Sequence, residues 1–478
     1  MSRHTTFRYC LDPTVEQSDV LARHAGAARF AFNQSLDFVR TALDRRKTTP
    51  QHPVPWTRFD LINAFNTWKK TDAAGRVFTV SPDGVAEIQV TGLAWRTQVC
   101  QQVFEEAAVD CGRGLAAFSD SRSGKRAGKR VGFPRFKKKN KTTPSFRIRN
   151  KHPKGGRPTV RVGDNGIVRS VTLPGIGAIR VRDDTRRLRR LLTKERARIL
   201  SVTVSCRARR WWICLTLEAA DLHPAHHHRP REHHDHHGWI GIDRGLAVFA
   251  VAATADGTEV ARIVTAPRPL VTEVSRQRRL ARSVSRKQVG SHNRRDATAR
   301  LARHHHRVAN VRRHFAHQVA NRLVKTHDRL VIEDLNVAGM LGNHHVARAI
   351  SDAGWADFAR LLTYKQAWRS GTVAIADQWY PSSKRCSACA TINPTLTLAD
   401  RTFFCGCGFR ADRDHNAAVN LAAWPTSDQV FSRSPDPRAG GRATNVRRRE
   451  GADRNPRGIG ETVPVDAGTD AHTTRGVS

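Results

Sequence analysis

Four cysteines crowd into one short stretch, as Cys386-x-x-Cys389 and, after fifteen further residues, Cys405-x-Cys407. This pattern constrains the fold more than any other in the chain. Two close pairs around a short polar segment can complete a closed tetrahedral thiolate shell, which folds a loop that has little core of its own. Zinc is the ion expected there. The second pair has one intervening residue where two are usual, so its knuckle should be the tighter one. The remaining cysteines are scattered through a total of nine, a usage that suits a reduced compartment and one metal site better than a disulfide framework. No secretory core lies within Met1–Gln17, and no apolar run approaches the ~18 residues of a spanning helix, the longest lying near Leu246–Thr254. The expected location is the cytoplasm, with the nucleoid when DNA is bound, and no membrane partner is expected.

Lysine and arginine number 82 against 42 acidic residues, a net charge of +40 with histidine neutral. Such a field argues against a neutral metabolic enzyme and points to a polyanion as partner, nucleic acid before an anionic membrane. At 478 residues and 39% apolar content the chain is long enough for several cored domains.

A strand over Thr5–Leu11 precedes a long amphipathic helix opened by Pro13, and helical periods recur around Phe59–Trp68 and Ala86–Phe118. Lys125–Arg149 turns to lysine, arginine and glycine with interleaved Phe133, Phe136 and Phe146; no core is expected there, and the segment is assigned to nucleic-acid contact. Strands follow at Thr159–Val162, Val171–Leu173, Ala178–Val181, Ile199–Cys206 and Trp211–Glu218, reading as a small antiparallel barrel or sheet whose first strand is the N-terminal one. His223–His237 reads as a linker. Beyond it come a strand Ile240–Asp243, a hairpin Val248–Val264 turning at Asp256-Gly257, and helices Val271–Gln288 and Arg294–Thr326. A buried strand Arg329–Ile332 then ends at Glu333, followed by a helix near Ala356–Ser370, a strand Val373–Ala376, the cysteines and a helix Arg413–Ala423. Pro425–Ser478 lacks the apolar residues to pack and is expected to be disordered.

Three carboxylates lie where strand or helix ends could bring them to one place. Asp243 sits in Gly241-Ile242-Asp243-Arg244-Gly245, between glycines that let a backbone or phosphate approach. Glu333 ends an apolar strand, and Asp414 opens the last helix in Asp412-Arg413-Asp414-His415-Asn416. At 100° per residue Asp412 and Asp414 cannot share a helix face; Asp414 shares one with Ala418 and Leu421, leaving Asp412 as the cap. This order of elements is that of an RNase H-like nuclease, in which three carboxylates hold two divalent ions about 4 Å apart across a phosphodiester. Magnesium or manganese suits such oxygen ligands.

The segments GIDRG, VIEDLNVAGM, SSKRCSAC and CGFRADRDHNAAVNL, with RYCLDPTVEQ and GFPRFKKK in the N-terminal half, resemble the TnpB family of transposon-encoded RNA-guided DNA endonucleases, related to type V CRISPR effectors. The resemblance implies an α+β multidomain chain. Residues 1–222 would form a wedge β-barrel with a helical recognition insertion at about 14–150, 223–237 a linker, and 238–424 a RuvC nuclease domain. A zinc ribbon would be inserted at 379–411, and 425–478 would be a disordered tail. It also implies a catalytic, magnesium-binding triad Asp243, Glu333 and Asp414, structural zinc on Cys386, Cys389, Cys405 and Cys407, and guide RNA and target double-stranded DNA as partners of a monomer. A single RuvC site would cut both strands beside a short duplex motif. The rivals are a guide-independent regulatory DNA-binding protein, against which the three carboxylates argue, and a transposase performing strand transfer. For the tyrosine form of strand transfer, none of Tyr9, Tyr364 and Tyr380 lies in a metal-binding histidine motif.

Overall fold

The N-terminal strand β1 (Ser2–Asp12) pairs along its length with a strand more than two hundred residues away in sequence, and this pairing organises the first half of the chain. The computed structural model describes residues 2–426, apart from residues 81, 85, 127, 140, 154, 165, 230–237 and 398. The expected disordered tail therefore lies outside the described residues beyond Thr426, its first two residues belonging to a helical turn Trp424–Thr426, and most of the expected linker lies outside them too. The described residues divide into two compact units, one running to Ala220 and the other beginning at Asp221.

In the first unit, α1 (Val15–Thr48) begins two residues after Pro13. Thr14 is its cap, in a reciprocal box with Gln17 that satisfies the free amides of the first turn. α2 (Arg58–Trp68) opens on the same device, Thr57 with Asp60. The helical period expected from Ala86 is corrected: β2 (Arg76–Val80) and β3 (Ala86–Thr91) form a hairpin, and the helix α3 (Gln101–Arg122) begins only afterwards. Gly84, with φ of +79°, lies in the turn, and the β-branched residues Val77, Thr79 and Val80 in one arm and Ile88, Val90 and Thr91 in the other favour strand over helix.

The expectation that Lys125–Arg149 contributes no core is also corrected. β4 (Ser145–Arg149) buries Phe146 and Ile148. Upstream, Asn33 of α1 clamps the backbone of Lys137, accepting from its N–H at 2.7 Å and donating to its carbonyl at 3.1 Å. The Lys137 ammonium lies 3.7 Å from the Phe32 ring centroid and Arg40 stacks over Phe136 at 4.6 Å. The segment is docked on α1, while Arg135, Lys138 and Lys139 remain exposed.

β5 (Arg161–Val162), β6 (Ser170–Leu173), β7 (Gly177–Val181), α4 (Arg186–Thr193), β8 (Ala197–Arg207) and β9 (Arg210–Ala220) complete the unit. The seven strands run β4-β8-β9-β1-β7-β6-β5, every neighbouring pair antiparallel. As expected, Arg207–Arg210 is the β8–β9 turn; Ala208 and Arg209 both take positive φ, the mirror-image turn that matches strand twist. Trp211 is buried and Trp212 lies on the half-exposed face, where Arg8 stacks on it at 4.5 Å.

The second unit is built on a five-stranded sheet, β12-β11-β10-β13-β14. Its first three strands are β10 (Trp239–Asp243), β11 (Ala250–Thr254) and β12 (Glu259–Ile263), an antiparallel meander. Then come α5 (Pro269–Thr272), α6 (Val274–Ser285) and α7 (His292–Thr326), the strand β13 (Arg329–Glu333), the short helices α8 (Val337–Met340) and α9 (Ala347–Ala353), α10 (Trp355–Ala367) and β14 (Thr372–Ala376). β13 and β14 run parallel to β10. A small hairpin of β15 (Thr402–Phe404) and β16 (Arg410–Asp412) leads into α11 (Arg413–Ala423).

Strand pleating sorts the side chains. Ile240, Ile242, Ala250, Ala252, Leu330 and Ile332 face α7 and α10, while Val251, Ala253 and Val331 face α11. On α7, Val311 is 39% exposed, whereas His304 is buried. The start of the expected linker is anchored: the His228 N–H donates to the Arg369 carbonyl at 2.8 Å and Arg369 Nη1 donates to the His226 carbonyl at 2.8 Å.

Candidate active site and metal centre

β10 and β13 are parallel neighbours in the register Ile242↔Ile332, so one residue further on Asp243 and Glu333 stand side by side at the same strand end. Carboxyl ends of parallel strands are where open α/β sheets place their ligand sites. Both residues share pleat parity with Gly241 and Val331, which puts their side chains on the α11 face.

α11 reaches that face because Gly241 has no side chain. A β-carbon there would overlap the Ala418 carbonyl oxygen and the Ala422 amide and lie 2.8 Å from Leu421 Cβ. The backbone that the glycine admits is thus this helix. Asp414, Ala418 and Leu421 lie buried along its inner side, and Asp414 is delivered to the end of the sheet. Asp412 stands outside: its carboxylate accepts from the His415 N–H at 2.9 Å as the cap and meets Arg262 at 3.4 Å. The division of labour expected from the 100° helical repeat is the one observed.

The structure therefore brings Asp243, Glu333 and Asp414 together. Burial raises the pKa of Asp243 well above the ordinary carboxylate value, and the neighbouring charges of Glu333 and Asp414 raise it further, against Arg413 and Arg244. Two cations brace the cluster. Arg244, buried at 6% exposure, donates to the Glu333 carbonyl and, at 3.4 Å, to that of Trp355. Arg413 donates to Asp414 Oδ1 at 3.1 Å. Carboxylates are hard oxygen donors, and by their chemistry this set suits a divalent cation such as Mg²⁺ or Mn²⁺.

Cys386, Cys389, Cys405 and Cys407 also converge, their sulfurs all within 4.8 Å of one another. Sγ of Cys386 lies 3.8 Å from that of Cys407, and Sγ of Cys389 lies 3.5 Å from that of Cys405. A tetrahedron with metal–sulfur bonds of ~2.3 Å has edges of ~3.8 Å, so the donor set fits one zinc ion. The Cys389 thiol is brought down to about 6, first by hydrogen bonds from Thr391 and then by the neighbouring thiols. The short second pair closes as a tight turn, Gly408 N–H to Cys405 carbonyl at 3.0 Å, with Gly408 at φ +87°. Among the described residues the core beneath it consists of Cys386, Leu396 and Phe403, flanked by Cys405 and Phe409.

Sequence reasoning assigned no role to the residues that join the two centres. Asn416 and Asn420, one helical turn apart and both buried, hold the Ser382–Ser387 loop against α11. Asn416 Nδ2 donates to the Arg385 carbonyl at 2.7 Å and its Oδ1 accepts from the Ser387 N–H at 3.0 Å. Asn420 Nδ2 donates to the Ser382 carbonyl at 2.8 Å and the Arg385 carbonyl at 2.7 Å. The signal was present as two asparagines at i and i+4 beside Asp414. Tyr380 is occupied structurally, its hydroxyl donating to the Asn420 carbonyl at 3.1 Å, and Tyr9 is buried.

A protein of Mycobacterium tuberculosis named "Putative RNA-guided DNA endonuclease" is 33% identical over 438 residues, covering 89% of this chain and 87% of its own. The chain belongs to the TnpB family. Other members bearing the same description are a Streptomyces pristinaespiralis protein, 30% identical over 87% of this chain and 88% of its own, and an Escherichia coli K12 protein, 26% identical over 88% and 92%. Family models described as "Probable transposase" and "Cas12f1-like, TNB domain" match residues 223–344 and 355–421. A third, "Helix-turn-helix domain", matches residues 1–48, which here form one strand and one 34-residue helix. Among solved structures, a Cas12f1–sgRNA–target DNA complex is similar at a TM-score of 0.44 and 12% identity, over 88% of this chain and 99% of that one. CasPhi-2 bound to crRNA is similar at 0.40 and 10%, over 88% and 97%. Among the described residues no helix is long and apolar enough to cross a membrane.

Proposed function

We propose that this TnpB-family chain is an RNA-guided DNA endonuclease that cuts target DNA beside a short duplex motif through a single site, Asp243, Glu333 and Asp414. The observation that carries the reading is the convergence of three carboxylates from two parallel strand ends and a helix admitted by Gly241. The curated relatives carry the same activity in their names. In this reading 238–424 is an RNase H-like RuvC domain with a zinc ribbon at 379–411, and 1–222 is a wedge barrel with a helical recognition insertion at about 14–150.

Asp243, Glu333 and Asp414 would hold magnesium or manganese, which when bound supplies activation of water and charge neutralisation at the scissile phosphate. The chain's own part is positioning. Arg244 ties the end of β13 in place, Arg413 orients Asp414, and the pleat aims Asp243 and Glu333 at α11. Cys386, Cys389, Cys405 and Cys407 would hold zinc and fold the loop that packs on α11. Delegating sequence choice to a guide RNA leaves the protein to bind backbone and shape, which a net charge of +40 suits.

The test is Asp414→Asn beside Asp412→Ala, assayed on target DNA with guide and magnesium. Asp414→Asn is expected to abolish cleavage while keeping the fold and DNA binding, and Asp412→Ala to retain cutting. Cleavage by Asp414→Asn with loss in Asp412→Ala would move the third ligand to Asp412. Sequencing the RNA that copurifies with the protein should return one discrete transcript; random cellular RNA would defeat the guided reading.

A further inference from the structure

Ser382 lies just past β14, outside the carboxylate cluster and ahead of the first cysteine. It is nevertheless buried at 3% exposure, and every polar group it has is engaged. Its N–H donates to the Tyr380 carbonyl at 2.8 Å, its carbonyl accepts from Asn420 Nδ2 at 2.8 Å, and its hydroxyl donates to Glu333 Oε1. A continuous path of hydrogen bonds thus runs from Glu333 through Ser382 to Asn420, on the helix that also carries Asp414.

We propose that Ser382 is the positioning residue for Glu333: its hydroxyl pins one carboxylate oxygen and so fixes the direction in which the other is offered to a divalent cation. This rests on the reading of Asp243, Glu333 and Asp414 as the cutting site. A glutamate at a strand end has three side-chain torsions, the last of them soft, so the backbone register that brings it beside Asp243 does not orient its oxygens. Arg244 holds the backbone of Glu333 and Ser382 holds its side chain. Because Asn420 sets Ser382, the orientation of Glu333 follows the seating of α11, and two ligands distant in sequence are set by one helix. Outer partners of this kind orient a ligand without touching the metal, and their loss costs about 10- to 100-fold in metal affinity or activity.

The experiment uses the full chain with its copurified RNA. Manganese affinity is measured by electron paramagnetic resonance without DNA, magnesium dependence by cleavage rate, and zinc by elemental analysis. Ser382→Ala is expected to weaken manganese binding and raise the half-maximal magnesium concentration by about 10- to 100-fold, with zinc content unchanged. Ser382→Thr, which keeps the hydroxyl, should restore both. If the alanine variant does not remain folded, Ser382→Cys, close in shape but a weak donor, should show the same shift in smaller measure. Unchanged metal dependence in the alanine or cysteine variant overturns the proposal, and so does loss of zinc, which would assign Ser382 to the cysteine loop. Glu333→Gln separates the two readings. If it still cuts, the site itself is misassigned; if it is dead while Ser382→Ala behaves as wild type, only the positioning role fails.

Discussion

In Met1–Ala220 one apolar cluster runs unbroken from Tyr9 of the sheet through Leu36 and Phe104 of the helices to Leu217. Among the described residues from Asp221 onward, the apolar interior falls into four separate patches. The difference follows the side chains used. The first unit fills its space with large residues such as Phe65, Phe104 and Leu115. On the α11 side of the second, Gly241, Ala417, Ala418 and Ala422 bring backbones close, and the room that remains is taken by Asp414, Asn416 and Asn420. A continuous core supplies stability through area, whereas an interrupted one places polar groups and must satisfy each of them. The same number of deleted atoms should therefore matter differently in the two places.

The largest stability loss is expected from Phe104→Ala, about 3–5 kcal/mol as for other buried phenylalanines. Hydrogen exchange should rise across β1, α1 and α3 while β10 and β13 keep their protection. Equal loosening of both units would break the comparison. Gly241→Ala comes next, at about 1–3 kcal/mol from overpacking against α11, but with cleavage lost far beyond what that destabilisation explains, because Asp414 moves with the helix. Wild-type cleavage in this variant would show that α11 can retreat without disturbing the site. Asp412→Ala should cost about 0.5–2 kcal/mol, the value of a lost cap, read as a shift in the denaturation midpoint.

The smallest effect is a pH dependence in the first unit. His24, 1% exposed, donates from Nδ1 to the Val20 carbonyl at 2.8 Å and accepts the Cys100 N–H at Nε2, 3.2 Å away, so the fold needs its neutral form. Burial lowers its pKa below the ordinary 6.5. The unfolded chain then takes up a proton before the folded one does, and stability contributed by His24 falls as pH drops through 6.5, by at most about 1.4 kcal/mol per pH unit. Urea titrations between pH 7.5 and 5.5 should show this slope in wild type and its loss in His24→Gln; an unchanged slope in the variant would place the proton elsewhere.

Much of the second unit was legible in advance because its signals are local. β10, β13 and α11 fall where alternation and the 3.6-residue period put them, and the cap at Asp412 with Asp414 turned inward follows from helix geometry within three residues. The cysteine pairs were legible for the same reason, their spacing being a property of one short segment. The hairpin β2–β3 was misread where a strand pattern ran into a helical one. That Lys125–Arg149 contributes to a core was missed because its composition gives no hint that β4 would bury Phe146 and Ile148 or that Asn33, over a hundred residues before Lys137, would clamp that residue's backbone to α1.

Composition, periodicity and spacing by themselves marked most of the strands and helices, the β2–β3 hairpin and β4 excepted, and where Asp243, Glu333, Asp414 and the four clustered cysteines stand along the chain. Only the tertiary structure decided that Gly241 admits α11, that Arg244 ties down the end of β13, and that Ser382 and Asn420 connect Glu333 to the helix bearing Asp414. The physical reason is range. Periodicity and capping are set by neighbours within a few residues, whereas each of these contacts joins groups tens to nearly two hundred residues apart and exists only once the sheet register and the seat of α11 are settled.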